Sequence, residues 1–336
     1  MVVIASGIAV LAILLAIGGF DPATALGAMW RGAFGSWYAF TSATLVRAVP
    51  LGFIALGFAL AQRAGWLNIG GEGQFYAGAI AATAVALQLE GWPTTVAIPL
   101  TLTAAFAAGA LWASLPAWLR LRFGVLEVIS TLLLSFVAEA LVSWVVQGPL
   151  QESTRIYPQS DPIPLATRLP LLPGTRLHLG VILVLVAAVL LWYFFERTAR
   201  GFELRAAGEG PRAARVVGGI NAERLGAWAL VGGGALAGLA GGSEVAGVSY
   251  ALYPNLSPGY GFTAIAVALL ARGHPLAILP SAMLFGALEA GAAAMQREAG
   301  VPAVGVYVAE AVIIIVVLLA DALATRRRLA IAAGVA

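Results

Sequence analysis

The sequence predicts an all-α integral membrane protein of about ten transmembrane helices. Of its 336 residues, 61% are hydrophobic and only 10% are charged, whereas soluble domains are about 45–50% apolar and about 25% charged. Apolar runs recur along the whole chain, and a membrane-crossing helix needs roughly 20 such residues. The chain contains no cysteine, which excludes disulfides and thiolate metal sites.

Polar, Gly-rich and Pro-rich segments divide the apolar sequence into ten candidate spans. The first has no basic segment before it, so we interpret it as a span and not as a cleaved signal. The second is too short to cross a membrane alone. The spans cover residues 2–19, 50–61, 75–89, 95–119, 125–146, 177–195, 225–246, 262–271, 276–295 and 304–319.

The arginines predict the orientation of these spans. All 19 basic residues are arginine, and basic residues concentrate in cytoplasmic loops. Alternating the ten spans places 13 arginines on the side of both termini and 6 on the other. We therefore expect a multi-pass protein of the plasma (inner) membrane with both termini, including the tail at 321–336, in the cytoplasm. The net charge of +3 is spread over loops, so no nucleic-acid partner is expected.

Two long segments lie outside the spans. Residues 21–49 mix small, aromatic and charged residues, which is typical of a helix at the membrane interface. Residues 149–174 are rich in proline, which opposes regular structure. This outer loop is either a plain connector or a contact surface for an external partner.

The stretch LNIGGEGQFYAGA, at residues 67–79, interrupts the apolar sequence with polar side chains and glycines. Irregular backbone at membrane depth is tolerated only where protein or water surrounds it. We therefore expect Asn68, Glu72 and Gln74, with the adjacent Phe75, to line or support a transport pathway. The alternative is that Asn68 and Glu72 only cap the helix that follows.

A second Gly-rich break, SPGYGF, resembles the first. Alternation of the spans places the first break on the cytoplasmic side and the second outside, as in a 5+5 inverted repeat; chance similarity between Ala-rich spans is the alternative. We expect Ser257, Tyr260 and Phe262 at an outer mouth. Free N–H groups at the start of the eighth span would suit a neutral, hydroxyl-rich ligand.

The longest charged stretch is the loop at residues 196–224, between the sixth and seventh spans. Its segment PRAARVVGG predicts a short helix, with Pro211 in the first turn and Gly218 and Gly219 at the end. The loop is either simply solvated or a grip for a soluble partner.

Four glutamates lie in or near span interiors, where carboxylates are functional candidates. They form either an ion or proton path, as in a secondary transporter, or hydrogen-bonded contacts between helices or subunits. The sequence has no Walker A, nucleophile-elbow or zinc-protease motif, so no enzyme activity is expected, and its two histidines do not suggest a metal site. The four residues are Glu139, Glu244, Glu289 and Glu310.

Eight segments resemble, in order, the permease subunits of ATP-binding-cassette (ABC) importers, over about residues 35–319. The resemblance is strongest to the nucleoside and simple-sugar branch of the branched-chain amino acid and ribose permease family. The chain departs from that family at Gly71, where a larger residue is common, and at Leu134-Ser135, where a Leu-Asn pair is common. The segments are LNIGGEGQF, EVISTLLLSF, GPLQE, TRLHLG, GFELRAAGEGPRAARVVGGIN, GALAGLAGG, SPGYGFTAIAVALLARGHP and FGALEAGAAAMQ.

The resemblance implies one permease domain over residues 1–336 that does no chemistry and binds no cofactor itself. It implies a second permease, identical or homologous, two cytoplasmic ATPase subunits that bind ATP-Mg, and an extracytoplasmic substrate-binding lipoprotein. The substrates would be nucleosides or simple sugars, with branched-chain amino acids as the alternative within the class. The charged loop would dock on the ATPase and couple hydrolysis to alternating access. Its candidate contacts are Arg200, Arg205, Glu209, Pro211, Arg212 and Arg215.

Overall fold

A computed structural model describes residues 2–302 of the protein, together with 311 and 315. Within that part of the chain the regular structure is helical, and the β pairing is limited to one isolated bridge between Leu171 and His178. Among the described residues, six helical segments are long and apolar enough to cross a membrane. The predicted all-α membrane fold is therefore confirmed. Apart from 311 and 315, the tenth predicted span lies outside the described residues, as do Glu310 and the tail at 321–336.

The helices follow one another along the chain with short connections, except for the outer loop at 149–174. Two π-helical segments, Phe40–Leu45 and Val245–Ser249, extend neighbouring α-helices. The helices are α1 (Val2–Ile17), α2 (Pro22–Phe34), α3 (Trp37–Ala39), α4 (Val46–Arg63), α5 (Gly71–Ala86), α6 (Thr94–Phe123), α7 (Glu127–Val146), α8 (Gly180–Arg197), α9 (Ala199–Glu209), α10 (Pro211–Gly218), α11 (Ala222–Glu244), α12 (Tyr260–Leu270) and α13 (Pro275–Ala299).

The interpretation of residues 21–49 as one interfacial helix is wrong. Asp21 caps α2, because its carboxylate accepts a 2.9 Å hydrogen bond from the Thr24 amide. A new helix then begins after Ser36, whose hydroxyl accepts from the Ala39 amide at 2.9 Å. Two N-terminal caps therefore divide a segment whose composition alone shows no boundary.

The predicted short second span is also wrong, because it is the last part of a helix of 27 residues, Trp37–Arg63. The span was predicted to start at Pro50, but Pro50 lies inside this helix. Within a membrane protein, surrounding helices and local π-helical adjustment satisfy the backbone groups that a proline frees. The helix is therefore long enough to cross a bilayer.

The chain forms two compact units, Met1–Arg47 with Met283–Ala336, and Ala48–Ala282. In the first unit, α2 packs on the end of α13 so closely that a Cβ on Gly32 would lie 2.2 Å from the Ala294 methyl group. Leu11 and Met295 are among the side chains buried in its core.

The centre of the second unit is a close crossing of α5, α6 and α11. A Cβ on Gly78 would lie 2.2 Å from the Gly238 carbonyl oxygen, and one on Gly238 would lie 2.3 Å from a carbonyl oxygen of α6. Helix α4 crosses α11 in the same way at Gly57 and Gly233, where each Cβ would lie 2.4 Å from the other's carbonyl oxygen. Such small-residue contacts let membrane helices approach at backbone distance.

The outer loop at 149–174 has one short 3₁₀ turn, Leu165–Thr167, and is otherwise irregular, as its prolines predict. Glu152 organises its first part. The Thr154 hydroxyl, the Gln159 amide and the Tyr157 backbone N–H all donate to its carboxylate at 2.7–2.9 Å. In that order, these donors lower the pKa of Glu152 below its ordinary value.

Candidate functional site

The two Gly-rich breaks meet inside the second unit. The Glu72 carboxylate, in the first turn of α5, accepts a 2.6 Å hydrogen bond from the Gly261 N–H in the first turn of α12. A Cβ on Gly261 would lie 2.2 Å from the Glu72 nitrogen. The N-terminal turns of two short helices, 189 residues apart at this bond, are thus in direct contact.

A polar side chain before α5 pairs with one in its first turn. Asn68 and Gln74 exchange two amide hydrogen bonds of 2.8 and 2.9 Å. Asn68 Oδ1 also accepts from the Gly70 N–H at 3.1 Å. Both amides are almost fully buried, at 3% and 1% exposure, so the pair holds the irregular segment in one conformation.

Ser257 caps the start of α12. Its hydroxyl accepts from the Gly259 and Tyr260 N–H groups at 3.1 and 2.9 Å, and its own N–H donates to the Tyr76 hydroxyl at 3.3 Å. Together with the bond to Glu72, these contacts occupy the first N–H groups of α12. The expectation that they are free for a ligand is therefore wrong for this conformation.

The structure brings six of the seven predicted pathway residues into one cluster. All six are buried, and Phe75 packs its ring against Tyr76 and Tyr260 with centroids 5.6 and 6.1 Å apart. The exception is Phe262, which is 43% exposed. The six buried residues are Asn68, Glu72, Gln74, Phe75, Ser257 and Tyr260.

Both departures from the family pattern have a local structural explanation. A Cβ on Gly71 would lie 2.6 Å from the Ile54 side chain, so a larger residue there would have to displace it. Ser135 Oγ accepts a 3.2 Å hydrogen bond from the Gly73 N–H. Its hydroxyl therefore joins α7 to the first turn of α5.

A charged cluster that the sequence did not predict lies beside the segment that leads into α5. Arg120, near the end of α6, forms ion pairs with Glu127 and, at 3.4 Å, with Glu223, and its guanidinium lies 3.9 Å above the Trp66 ring. Glu127 also accepts a 3.1 Å hydrogen bond from the Leu67 N–H. We call these five residues the Arg120 cluster. The sequence does carry a signal for this pairing, because an arginine in the last turn of α6 and a glutamate in the first turn of α7 lie on either side of Gly124.

The Arg120 cluster joins the irregular segment to the start of α11. A Cβ on Gly226 of α11 would lie 2.1 Å from the Trp66 indole nitrogen, so the ring fills a notch in that helix. Helix α11 begins within the last residues of the charged loop at 196–224. The start of α11 is thus joined to the charged loop by the chain and contacts Arg120 and Trp66 next to the segment that precedes α5.

The charged loop forms two helices. Helix α10 matches the predicted short helix, with Pro211 at its start and Gly219 in the left-handed conformation at its end, whereas α9 was not predicted. Among the candidate contacts, Arg200 pairs with Glu203 at 2.9 Å and Arg205 with Glu196 at 3.1 Å.

The surface of α10 is largely solvent-exposed. The candidates Glu209, Pro211, Arg212 and Arg215 are exposed on or beside it. Two apolar residues of α10 that were not among the predicted contacts, Val216 and Val217, are 84% and 89% exposed. Adjacent exposed valines on a charged surface are typical of a contact with another protein.

Short helices that meet at irregular breaks within a multi-span bundle are the arrangement that many membrane transport proteins have around their substrate sites. Residues 40–319 match the family described as branched-chain amino acid transport system / permease component, and the chain belongs to that family. The family resemblance drawn from the eight segments is confirmed, and it removes the ion-coupled secondary transporter as an interpretation.

Three relatives align with most of the chain. It is 37% identical over 332 residues to glucose ABC transporter permease protein TsgB13 of Haloferax volcanii, covering 93% of this chain and 87% of the relative. It is 35% identical over 321 residues to guanosine ABC transporter permease protein NupP of Bacillus subtilis, covering 94% and 91%. It is 33% identical over 283 residues to nucleoside ABC transporter permease protein NupB of Lactococcus lactis, covering 81% and 77%. No solved structure matches the chain.

Proposed function

We propose that this chain is the transmembrane permease subunit of an ABC importer for nucleosides or simple sugars. The observation that carries the proposal is its 35–37% identity, over more than nine tenths of its length, to permeases named for guanosine and glucose. The six buried pathway residues, which we call the broken-helix cluster, offer amides, hydroxyls and one carboxylate. Such a set suits a neutral, hydroxyl-bearing substrate better than a zwitterionic branched-chain amino acid, because it has no cationic group to pair with the amino acid's carboxylate.

The proposed architecture has ten spans, arranged as a 5+5 inverted repeat within one permease domain, with both termini in the cytoplasm. Two observations support it: the arginine count of 13 against 6, and the contact between α5 and α12, each a short helix that follows a Gly-rich break. In such repeats the transport pathway runs where the halves meet.

The proposed partners are a second permease, identical or homologous, an extracytoplasmic substrate-binding lipoprotein, and cytoplasmic ATPase subunits that bind ATP-Mg and carry out hydrolysis. The exposed valines of α10, flanked by Arg212 and Arg215, fit the ATPase contact, because an apolar centre with a charged rim is the usual composition of such an interface. Arg205 has its own partner in Glu196, so its proposed role is to shape the loop.

The contacts support a route for this coupling. Movement of α10 would reach the start of α11, and the Arg120 cluster links that point to Trp66 and Leu67. Asn68 and Glu72 come next in the chain and hold the broken-helix cluster together. An ATPase-driven shift of the charged loop would thereby reach the pathway through packed and hydrogen-bonded groups.

Uptake by the reconstituted complex tests the function. The permeases, ATPase and lipoprotein are placed in proteoliposomes, and uptake of labelled guanosine, glucose and leucine is compared with and without ATP. We expect ATP-dependent uptake of guanosine or glucose and none of leucine. A complex whose ATPase subunit has an inactivated nucleotide site is the control. Uptake of leucine alone would refute the proposed substrate class, and uptake that ignores ATP would refute the coupling.

A further inference from the structure

One carboxylate of the second unit, that of Glu139, is exposed near the middle of a predicted membrane span. Glu139 lies 12 residues after the start of α7 and 7 before its end, which is about 18 Å and about 10 Å along the helix. Its side chain is exposed, and among the described residues its carboxylate has no hydrogen-bond or ion-pair partner. Intramembrane carboxylates are strongly disfavoured in lipid and almost always face protein or a water-filled cavity.

Glu139 stands beside the broken-helix cluster. Ser135, one turn earlier in α7, contacts Gly73 of α5, which places Glu139 one turn further along, level with Tyr76. The Glu139 carboxylate is close enough to Glu72 and Tyr76 to interact electrostatically with both. Unlike Glu72, it is not consumed by a backbone contact, so it is available to a ligand at the edge of the cluster.

The neighbours of Glu139 on α7 extend this surface. Phe136 and Ser143 lie three residues before it and four after it, so the three side chains share one helix face. Phe136 is 56% exposed. The Ser143 hydroxyl donates to the Glu139 carbonyl at 3.4 Å and keeps its own acceptor capacity. The row therefore offers an apolar ring, a strong acceptor and a weaker acceptor.

We propose that Glu139 recognises the vicinal diol of the transported substrate, with Phe136 against its ring and Ser143 beside it. An ionised carboxylate has two acceptor oxygens and can accept from both of two adjacent hydroxyls; in dinucleotide-binding proteins an acidic residue accepts from the ribose 2′-hydroxyl. Ribonucleosides and simple sugars share such a diol, and branched-chain amino acids lack it. The inference rests on the proposed function and names the substrate group that the site reads.

The test uses the absence of native cysteine. In the full reconstituted complex with lipoprotein, Ser143→Cys is treated with a small, charged, water-soluble thiol reagent during ATP turnover. We expect labelling that guanosine slows several-fold and that 2′,3′-dideoxyguanosine, which lacks both hydroxyls, leaves unchanged. Adding Glu139→Gln should abolish the protection by guanosine. No labelling, as for a lipid-facing or subunit-covered position, would overturn the proposal, and so would equal protection by both compounds.

Uptake separates this inference from the proposed function. Glu139→Gln, which keeps the size of the side chain, should lower guanosine uptake about tenfold or more through loss of charge-assisted hydrogen bonds, while Ser143→Ala lowers it less. Assembly of each variant with the ATPase is checked by co-purification. If the unsubstituted complex transports guanosine or glucose and assembled Glu139→Gln transports it equally well, this inference fails alone. If the unsubstituted complex takes up neither compound, the proposed function fails first and the inference with it.

Discussion

The hydrogen bond between Glu72 and Gly261 should hold the two broken helices together. Glu72 is 6% exposed, and its carboxylate accepts the Gly261 N–H at 2.6 Å. Glu72→Ala removes the acceptor and leaves a buried N–H unpaired. Glu72→Gln keeps a carbonyl oxygen of the same reach, so it separates loss of the bond from loss of the charge.

The size of the effect follows from the burial of the donor. A buried donor left without a partner costs about 1–3 kcal/mol, which is roughly 5- to 150-fold in the equilibrium between joined and separated helices. The lower end applies if a water enters the space left by the side chain and bonds to Gly261. For Glu72→Gln we expect about 1 kcal/mol, because a neutral acceptor forms a weaker bond than a carboxylate.

Thermal unfolding of the purified complex and substrate-stimulated ATP hydrolysis measure the effect. Glu72→Ala should lower both the unfolding temperature and the stimulation, and Glu72→Gln should lie between it and the unsubstituted protein. Glu90→Ala is the matched control, because Glu90 is exposed beyond the end of α5. If Glu72→Ala unfolds and hydrolyses ATP like Glu90→Ala, the bond does not join the helices and the reasoning is refuted.

Four other substitutions test separate parts of the structure. Gly238→Ala should destabilise the bundle by about 1–3 kcal/mol through overpacking against α6, whereas Gly232→Ala, which meets only a side chain at 3.1 Å, should unfold at nearly the native temperature. Glu127→Ala should cost about 1–3 kcal/mol, because it leaves the Leu67 N–H without its acceptor and Arg120 with only the exposed Glu223 as a counter-charge; removing Glu127 and Arg120 together should cost less than the sum in a double-mutant cycle of unfolding. Val217→Asp should reduce co-purification of the ATPase while leaving the unfolding temperature of the permease unchanged. Because the pKa of Glu152 is lowered in the folded loop, its contribution is present above its ordinary value of 4.5 and is lost as the pH falls through the folded pKa; hydrogen exchange of loop amides should speed up in that acidic range relative to Glu152→Gln, in which the carboxylate is absent.

The order and type of the described helices were predictable, because hydrophobic length is a local property of the sequence. Nine of the ten predicted spans overlap described helices, and the short helix at Pro211 was predicted from its Pro and Gly punctuation alone. The predicted helix boundaries are wrong within residues 21–63, where Pro50 was expected to begin a helix and instead lies inside one. Whether a proline ends a helix depends on what surrounds the freed carbonyl, and that is not encoded within a few residues of it.

The candidate site was predictable in its residue types and not in its contacts. Asn68, Glu72 and Gln74 stand out because polar groups in an apolar chain must find partners. The partner of Glu72, however, is a backbone N–H 189 residues away, and a glycine gives no sign of what its amide binds. The sequence shows that Glu139 is an intramembrane carboxylate. Only the structure shows that its side chain is exposed beside α5, where it could contact a ligand, and is not buried between helices.

The sequence by itself determined that the protein is helical and membrane-spanning and which polar segments interrupt its apolar runs, because these follow from local hydrophobicity and backbone chemistry. That it is a permease was indicated by the resemblance of eight motifs to a known family. Tertiary structure alone decided which interruptions meet, which N–H groups are already occupied and which charges the Arg120 cluster joins. Those outcomes depend on the approach of helices distant in sequence to within hydrogen-bond distance. That approach is set by close-packed glycines and by the need to satisfy every buried polar group, and both conditions are properties of the assembled bundle.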